Sequence, residues 1–362
     1  MPHLFDELEL RETTIRNRIA VSPMCQYSCE GKDGLATDWH QVHLGSRATG
    51  GAGLIISEAA AVEPRGRISP RDLGIWSREH ADALADTTAF VKKHGATPAI
   101  QLAHAGRKAS TYRPSARSDR TTVASEDGWT PVGPTAEPYP YDQPLDTHRL
   151  SVDEIQDVID SFREAAEHAL DAGFEAAEVH GAHGYLLHEF YSPVTNTRED
   201  EYGGDFAGRT RLVREVTRAV RAVWPDDKPV LVRLSATDWM GEENWTVEDT
   251  ARLAPLLAED GADLLDISGG ANHPDQQIPH TGPHYQVPYA EQVRDALTDT
   301  DCAVGAVGAI NTAPGADAVV RNGRADLVLQ ARQNLYDPNF PLHAAEELGV
   351  EPPVPRQYRR GF

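Results

Sequence analysis

The stretch SVDEIQDVIDSFREAAEHALDAGFEAAEVHGAH (151–183) contains one complete unit of the fold. Its first part carries apolar residues at helical spacing and opens on Ser151 with Glu154 three residues later, which is the pattern of a capping box; Gly173 marks the helix end. The apolar run 176–183 then predicts a buried strand. A long helix followed by a short buried strand is typical of a parallel sheet connected by helices.

The same alternation extends along the whole chain. Strands are predicted at 18–24, 53–59, 97–104, 176–183, 229–236, 262–270, 302–308 and 325–332. Helices are predicted at 39–50, 78–95, 151–172, 208–223, 246–260, 288–298, 312–322 and 338–348. Eight such units predict an α/β fold of the (β/α)8 TIM-barrel class, as one domain over 1–362. A doubly wound sheet is disfavoured because no GxGxxG motif follows an early strand.

Two segments lie outside this alternation. Residues 4–17 are expected to form a hairpin or coil that plugs the bottom of the barrel. Residues 109–150, rich in proline, form a long irregular excursion after the third strand. Loops that follow barrel strands surround the active site, and loops of this length are usually functional. We therefore expect a lid over the site, with a plain surface insertion as the alternative.

Composition limits the classes of function. The 362 residues carry a formal net charge of −22, which disfavours binding to a polyanionic nucleic acid. The chain has no apolar run long enough for a membrane span and its start lacks the layout of a signal peptide, so the expected location is the cytoplasm. Three cysteines are too few for a disulfide framework or a cysteine-based metal cluster.

The type of basic residue is also informative. Of the 34 basic residues only five are lysine, at positions 32, 92, 93, 108 and 228, while acidic residues crowd the predicted outer helices. Repulsion among acidic groups is screened by salt. This balance predicts a halophilic protein, adapted to a salty cytoplasm, with an ordinary acidic protein as the alternative.

Candidate chemistry lies at the carboxyl ends of the predicted strands, where barrels place their active sites. Gly305 and Gly308 at the carboxyl end of the seventh strand and Arg332 at that of the eighth match a common phosphate-binding position. Gln101 and Arg233 are expected to point inward and to need a polar occupant. A flat phosphorylated cofactor would satisfy all of these groups.

His180 and His183 stand at the end of the fourth strand, two residues before Tyr185. An HxxH pair can bind a metal, but no third ligand is evident and we expect no metal site. Two neutral imidazoles can instead donate N–H groups to a carbonyl or nitro oxygen, which polarises it. Tyr185 offers a hydroxyl that can give up a proton.

Five motifs resemble the old yellow enzyme family of flavin-dependent ene-reductases. They are NRIAVSPMCQYS (17–28), DLGIWS (72–77), IQLAHAGRK (100–108), EVHGAHGYLLHEFYSPVTNTREDEYGG (178–204) and QYRRGF (357–362). The resemblance runs from about residue 4 to residue 362 and is greatest with the short bacterial branch that carries a cysteine beside the flavin.

The resemblance implies noncovalent FMN, NADPH or NADH as reductant and an enone as the small-molecule substrate, with ping-pong kinetics. The implied FMN contacts are Ser22, Pro23, Met24, Cys25, Ala59, Gln101, Arg233, Gly305, Gly308, Ala331 and Arg332. His180 and His183 match the pair that binds the substrate carbonyl oxygen, Tyr185 matches the proton donor, and Tyr27 matches a substrate-contacting tyrosine. Cys25 matches the cysteine that tunes the flavin potential.

The resemblance also implies a homodimer or homotetramer. Within the tail 350–362, Arg360 matches an arginine that enters the neighbouring subunit's site. Two positions depart from the family pattern. Ala331 replaces a glycine, where its methyl group could crowd FMN, and Gly208 replaces an asparagine at a helix start. A flavin-free phosphate-binding barrel lyase or isomerase uses the same glycines and arginine, and a non-catalytic barrel is a further alternative.

Overall fold

The computed structural model describes residues 2–113, 127–241 and 244–362. Its strands are β1 (Leu8–Leu10), β2 (Thr13–Ile15), β3 (Ile19–Val21), β4 (Leu54–Ala61), β5 (Thr97–Ala103), β6 (Val132–Gly133), β7 (His148–Arg149), β8 (Ala176–Gly181), β9 (Val230–Ser235), β10 (Leu264–Ser268), β11 (Ala303–Ala306) and β12 (Leu327–Gln330). Eight of them close a parallel barrel in the order β3-β4-β5-β8-β9-β10-β11-β12. This confirms the (β/α)8 class.

Helices surround the barrel. They are α1 (Asp38–Thr49), α2 (Arg78–Lys93), α3 (Val152–Asp171), α4 (Leu186–Tyr191), α5 (Phe206–Val223), α6 (Val247–Glu259), α7 (Val287–Ala296), α8 (Ala313–Arg321), α9 (Arg332–Tyr336) and α10 (Phe340–Glu347). Each of the eight predicted helices is present, and the short α4 and α9 were not predicted. None of the helices in the described ranges combines the length and apolar character that a membrane crossing requires.

The predicted capping box starts α3. Ser151 Oγ accepts a hydrogen bond from the Glu154 amide at 3.2 Å, and Glu154 Oε2 accepts one from the Ser151 amide at 2.8 Å. Both bonds satisfy amides that a helix start would leave without partners. The helix then packs Phe162 and its apolar neighbours against the barrel and delivers the chain to β8.

The N-terminal hairpin is also confirmed. Strands β1 and β2 pair antiparallel, with Leu8 opposite Ile15. Leu8, Leu10 and Ile15 pack in one apolar cluster with inward-facing residues of the barrel strands, including Leu231 and Leu264. This cluster fills one end of the barrel, so that only the other end, where the strands finish, is available for a site.

Some predicted strands are too long at their carboxyl ends. The first barrel strand ends at Val21 rather than residue 24, because Pro23 has no N–H to continue the ladder. The seventh ends at Ala306 rather than residue 308. In the excursion 109–150, the described residues include the two-residue strands β6 and β7, whereas part of the predicted lid, 114–126, lies outside the described residues.

Candidate active site

His180, His183 and Tyr185 meet at the end of β8. The ring centres of His180 and His183 are 5.4 Å apart, and those of His180 and Tyr185 are 5.1 Å apart, both edge to face. His180 is buried, while His183 and Tyr185 are half-buried and reach the open end of the barrel. The structure therefore brings together the three side chains that the sequence placed in one motif.

Both histidines are neutral at ordinary pH. Burial, reinforced by the nearby Arg233 charge, holds the pKa of His180 and of His183 well below the usual range. His183 Nε2 lies 2.7 Å from Ser268 Oγ, and His180 Nδ1 is buried without a hydrogen-bond partner among the described residues. A buried polar atom of this kind needs a ligand. The pair can therefore bind an oxygen that develops negative charge.

Lys108 was not predicted from the sequence. Its Nζ donates to the backbone oxygens of His183 at 2.7 Å and Ala271 at 2.8 Å, and lies 4.9 Å from the centre of the Tyr185 ring. A cation beside a phenol favours the phenolate electrostatically. Lys108 therefore brings a positive charge against the Tyr185 ring, and its position in the IQLAHAGRK motif was the available signal.

Arg233 belongs to a buried charged cluster inside the barrel. Arg233 Nε lies 3.0 Å from Asp266 Oδ2 on the neighbouring strand, and Gln101 Nε2 donates to Glu178 Oε1 at 2.8 Å. Burial raises the pKa of Glu178 to about 8, with Asp266 as a second cause, and burial also raises the pKa of Asp266. Gln101 and Arg233 thus have partners within the barrel.

The carboxylates of this cluster were missed by the sequence analysis. Glu178 and Asp266 interrupt apolar strands, which was the signal, because a charge in a strand buried on both faces must find a partner. Their partners could not be identified from spacing alone. The pairing of Arg233 with Asp266 depends on the register between β9 and β10.

The segment after β3 forms one wall of the site. The amide of Gln26, between Cys25 and Tyr27, donates to the buried carboxylate of Glu58 at 2.8 Å. Tyr27 adopts a left-handed backbone conformation with φ of 53°. Four partly buried residues pack against an apolar cluster of Ile68, Ala105 and Ala109; they are Cys25, Tyr27, Trp129 and Tyr185. The predicted residue Ala59, on β4, lines a small cavity together with Ile68 and Tyr185. Met24, just after β3, packs instead against a separate apolar cluster that includes Leu44.

The predicted phosphate-binding residues separate into two groups. Gly308 follows β11 with φ of 128°, and a side chain there would lie 3.0 Å from the Gln286 amide nitrogen. Ala331 precedes α9, and Arg332, its first residue, is exposed. Gly305 instead lies within β11, one residue before its end, which corrects its predicted place in the phosphate-binding position. A Cβ on Gly305 would come within 2.5 Å of Leu329 Cδ1, so that packing excludes a side chain.

The barrel end has the features that FMN requires. Ser22 Oγ is buried without a hydrogen-bond partner among the described residues. Among the same residues, Arg233 has the ion pair with Asp266, and its Nε has no hydrogen-bond partner. These polar groups, with the bare backbone at Gly308, fit a flat polar ring system and a phosphate. Within the same ranges, no group of three or more His, Cys, Asp or Glu residues is arranged to hold a metal ion.

Comparison with known proteins places the chain in a family. Residues 3–351 match the NADH:flavin oxidoreductase / NADH oxidase family. The NADPH dehydrogenase of Geobacillus sp. (strain WCH70) is 44% identical over 359 residues, covering 99% of this chain and 98% of that protein. The NADPH dehydrogenase of Bacillus subtilis (strain 168) is 42% identical over 364 residues, with 99% of each chain covered.

Solved structures are similar along the whole chain. Morphinone reductase in complex with tetrahydroNAD matches with a TM-score of 0.79 at 26% identity, over 99% of this chain and 94% of that one. The old yellow enzyme homologue from Zymomonas mobilis matches with a TM-score of 0.77 at 27% identity, over 97% and 94%. The chain therefore belongs to the NADH:flavin oxidoreductase / NADH oxidase family and is an old yellow enzyme-type oxidoreductase that uses FMN with NAD(P)H.

Proposed function

We propose that the protein reduces the activated C=C bond of α,β-unsaturated carbonyl or nitro compounds with NAD(P)H. The observation that carries this proposal is the neutral pair His180 and His183, with an unpartnered Nδ1 on His180, beside the Tyr185 phenol. Membership in a flavin-using family removes the support for a flavin-free lyase or isomerase.

Each of the three side chains has a distinct task. His180 and His183 donate to the substrate oxygen, so that negative charge developing there meets donors already in place. Tyr185 gives its hydroxyl proton to the α-carbon, and the nearby Lys108 ammonium stabilises the resulting phenolate. Bound FMN supplies the hydride acceptor for NAD(P)H and the hydride donor for the β-carbon.

The remaining predicted residues hold the cofactor. Ser22, Pro23, Met24, Ala59, Gln101 and Arg233 are assigned to the ring system and ribityl chain, and Gly308, Ala331 and Arg332 to the phosphate. Cys25, in the segment that passes the ring, is assigned to tuning of the FMN potential. Tyr27 is assigned to contact the substrate. Together with Tyr185 it packs against the apolar cluster around Ile68, which forms one wall of the site.

One site that serves both substrates in turn requires ping-pong kinetics, because the oxidised nucleotide must leave before the enone enters. Initial rates measured against NADPH at several fixed concentrations of cyclohexenone should give parallel double-reciprocal lines. Intersecting lines would mean that both substrates bind together and would contradict this scheme.

The excursion 109–150 is proposed as a lid, carried by Trp129. Its Nε1 donates to the Arg65 carbonyl oxygen at 2.8 Å, the Arg67 guanidinium lies 5.0 Å from its ring, and it packs on the apolar cluster around Ile68. We expect Trp129→Ala to raise the KM for cyclohexenone about tenfold, because an aromatic wall of the substrate site is lost.

Trp129→Phe is the matched control for this prediction. It keeps an aromatic wall and loses only the Nε1 donor, so that KM should stay within about threefold of the native value. Steady-state kinetics on both variants check the result. An unchanged KM in Trp129→Ala would identify the segment as a surface insertion.

A homo-oligomer is proposed, with Arg360 completing the neighbouring subunit's site. Apolar side chains are exposed on two adjacent helices: Trp39 on α1 is 49% exposed and Tyr336 on α9 is 87% exposed. The helices are linked by the hydrogen bond from Arg47 to the Asn334 carbonyl oxygen, at 2.9 Å. An exposed apolar surface of this kind is typical of a subunit interface.

Arg360→Ala should raise the KM for cyclohexenone about tenfold while leaving the oligomer intact, since a charge-assisted hydrogen bond contributes about 1.5 kcal/mol or more. Arg359→Ala is the matched control, because it removes the same charge one residue earlier in the exposed tail. Light scattering after gel filtration measures the assembly. A monomer, or equal kinetic effects of the two substitutions, would contradict the proposal.

A further inference from the structure

The turn between the two catalytic side chains has an unusual backbone. His183 and Gly184 are consecutive left-handed residues, with φ of 61° and 69°. A histidine in this region of conformational space is uncommon and must be held there by its surroundings. Because Gly184 lies between His183 and Tyr185, the orientation of this peptide sets where both side chains point.

Gly184 is held by a buried histidine on the next helix. Its amide donates to His188 Nδ1 at 2.8 Å, and His188 is fully buried on α4. An Nδ1 that accepts a hydrogen bond carries no proton, so the ring proton resides on Nε2. That nitrogen lies 2.7 Å from Oδ1 of Asp238, which is also fully buried.

Asp238 has further donors that keep it ionised. Its Oδ2 accepts from Ser192 Oγ at 2.6 Å and from the Trp245 amide at 3.1 Å. Burial acts to raise the pKa of Asp238, but contact with His188 and these hydrogen bonds hold it below its ordinary range. A carboxylate facing Nε2 favours the tautomer that leaves Nδ1 free to accept from Gly184.

Two side-chain anchors act on His183, and the Tyr185 amide donates to the Ala182 carbonyl oxygen at 3.3 Å across the turn. Ser235 Oγ accepts from the His183 amide at 2.9 Å, and Lys108 donates to the His183 carbonyl oxygen. The bond to His188 is the side-chain hydrogen bond at the Gly184 amide itself. Gly184 also lies close to the next loop: a Cβ on this residue would be 2.4 Å from the Ala271 backbone oxygen.

We propose that His188 and Asp238 are a positioning pair that fixes the left-handed turn at Gly184 and so aims Tyr185 and His183 at the substrate. This inference rests on the proposed function for the tasks of Tyr185 and His183. Neither member of the pair touches the substrate. Their effect is on the placement of groups that do, and misplacement by about 1 Å can cost about 100-fold in rate.

Two substitutions of one residue separate the two contacts. In His188→Asn the side-chain oxygen can stand where Nδ1 stands and accept from Gly184, while the contact with Asp238 is lost. In His188→Gln the amide nitrogen can stand where Nε2 stands and donate to Asp238, while the acceptor for Gly184 is lost. Ser192→Ala is the control, because it removes a hydrogen bond from Asp238 without touching Gly184.

Two measurements on the FMN-loaded proteins test the pair. We expect His188→Gln to speed hydrogen–deuterium exchange at the Gly184 amide at least about tenfold and to slow the cyclohexenone half-reaction about 100-fold. The NADPH half-reaction should change far less, since Tyr185 gives up its proton only to the enone. His188→Asn and Ser192→Ala should stay within about threefold of the native protein in both measurements.

Equal losses in the Asn and Gln variants, or loss of Gly184 protection with the cyclohexenone rate intact, would overturn the proposal. If His188→Gln does not fold, the Asn variant decides alone, because a folded His188→Asn protein that has lost the cyclohexenone rate refutes the assignment. Failure of the proposed function is distinguishable, because the native protein would then not reduce cyclohexenone while exchange at Gly184 would still separate the two variants.

Discussion

His180→Ala is expected to slow reduction of cyclohexenone by about 10²–10³-fold, which is the usual cost of removing one donor to a developing oxyanion. The NADPH half-reaction should slow much less, because no oxyanion forms in it. Stopped-flow measurement of the two half-reactions separates these effects. An equal loss in both would contradict the assignment of His180 to the substrate oxygen.

Two variants sharpen this prediction. His180→Asn keeps an N–H donor near the place of Nδ1 and should recover about tenfold of the loss. His80→Ala removes another buried histidine, on α2, whose ring contacts Ser77 and the Asp33 carbonyl oxygen outside the site. It should lower the melting temperature without changing the ratio of the half-reactions. Because the pKa of His180 is well below its usual range, the ratio of the two half-reaction rates in the native protein should not vary between about pH 6 and 8.

Arg233→Met should lower the free energy of unfolding by about 3–5 kcal/mol, since it leaves buried carboxylates without their cation. It should also weaken FMN binding, because the guanidinium is one of the groups assigned to the ring. Thermal melting of the apoprotein and fluorescence titration with FMN measure the two effects. The exposed Arg332 provides the matched control, since Arg332→Met should weaken FMN binding with little change in the apoprotein's melting temperature.

The stability loss in Arg233→Met has a defined pH dependence. Glu178 already has a folded pKa raised to about 8, and without Arg233 the pKa values of Glu178 and Asp266 rise further. The folded state then holds protons that the unfolded state releases above about pH 4, so the variant loses stability as pH rises. The difference in melting temperature between the native protein and Arg233→Met should be larger at pH 9 than at pH 6. A difference in melting temperature that does not depend on pH would contradict the role of Arg233 as the cation of Glu178 and Asp266.

Local patterns sufficed for the fold and for the centre of the site. The apolar runs and the capping box at Ser151 depend on neighbours in sequence, and so does the spacing of His180, His183 and Tyr185 along β8 and its loop. Strand ends were less accurate, since Gly305 and Gly308 look alike in sequence and only sheet pairing places the first within β11.

Contacts between distant elements were beyond the sequence. Asp266 meets Arg233 through the register of β10 with β9, and Asp238 meets His188 through the packing of α4 on the loop after β9. Trp129 packs against Ile68, which lies far from it in the sequence. Each of these pairings joins residues that are 33 or more positions apart in the sequence. The polar residues themselves were visible, but their partners were not.

We propose that one site passes electrons from NAD(P)H to an enone through FMN. An anaerobic visible spectrum of the purified protein in concentrated KCl, before and after NADPH and then cyclohexenone, tests it most directly. Flavin absorbance should bleach with NADPH and return with cyclohexenone. Absorbance that bleaches but does not return would contradict the proposed substrate class, and protein that is colourless after incubation with FMN and removal of the unbound flavin would contradict FMN binding at this site.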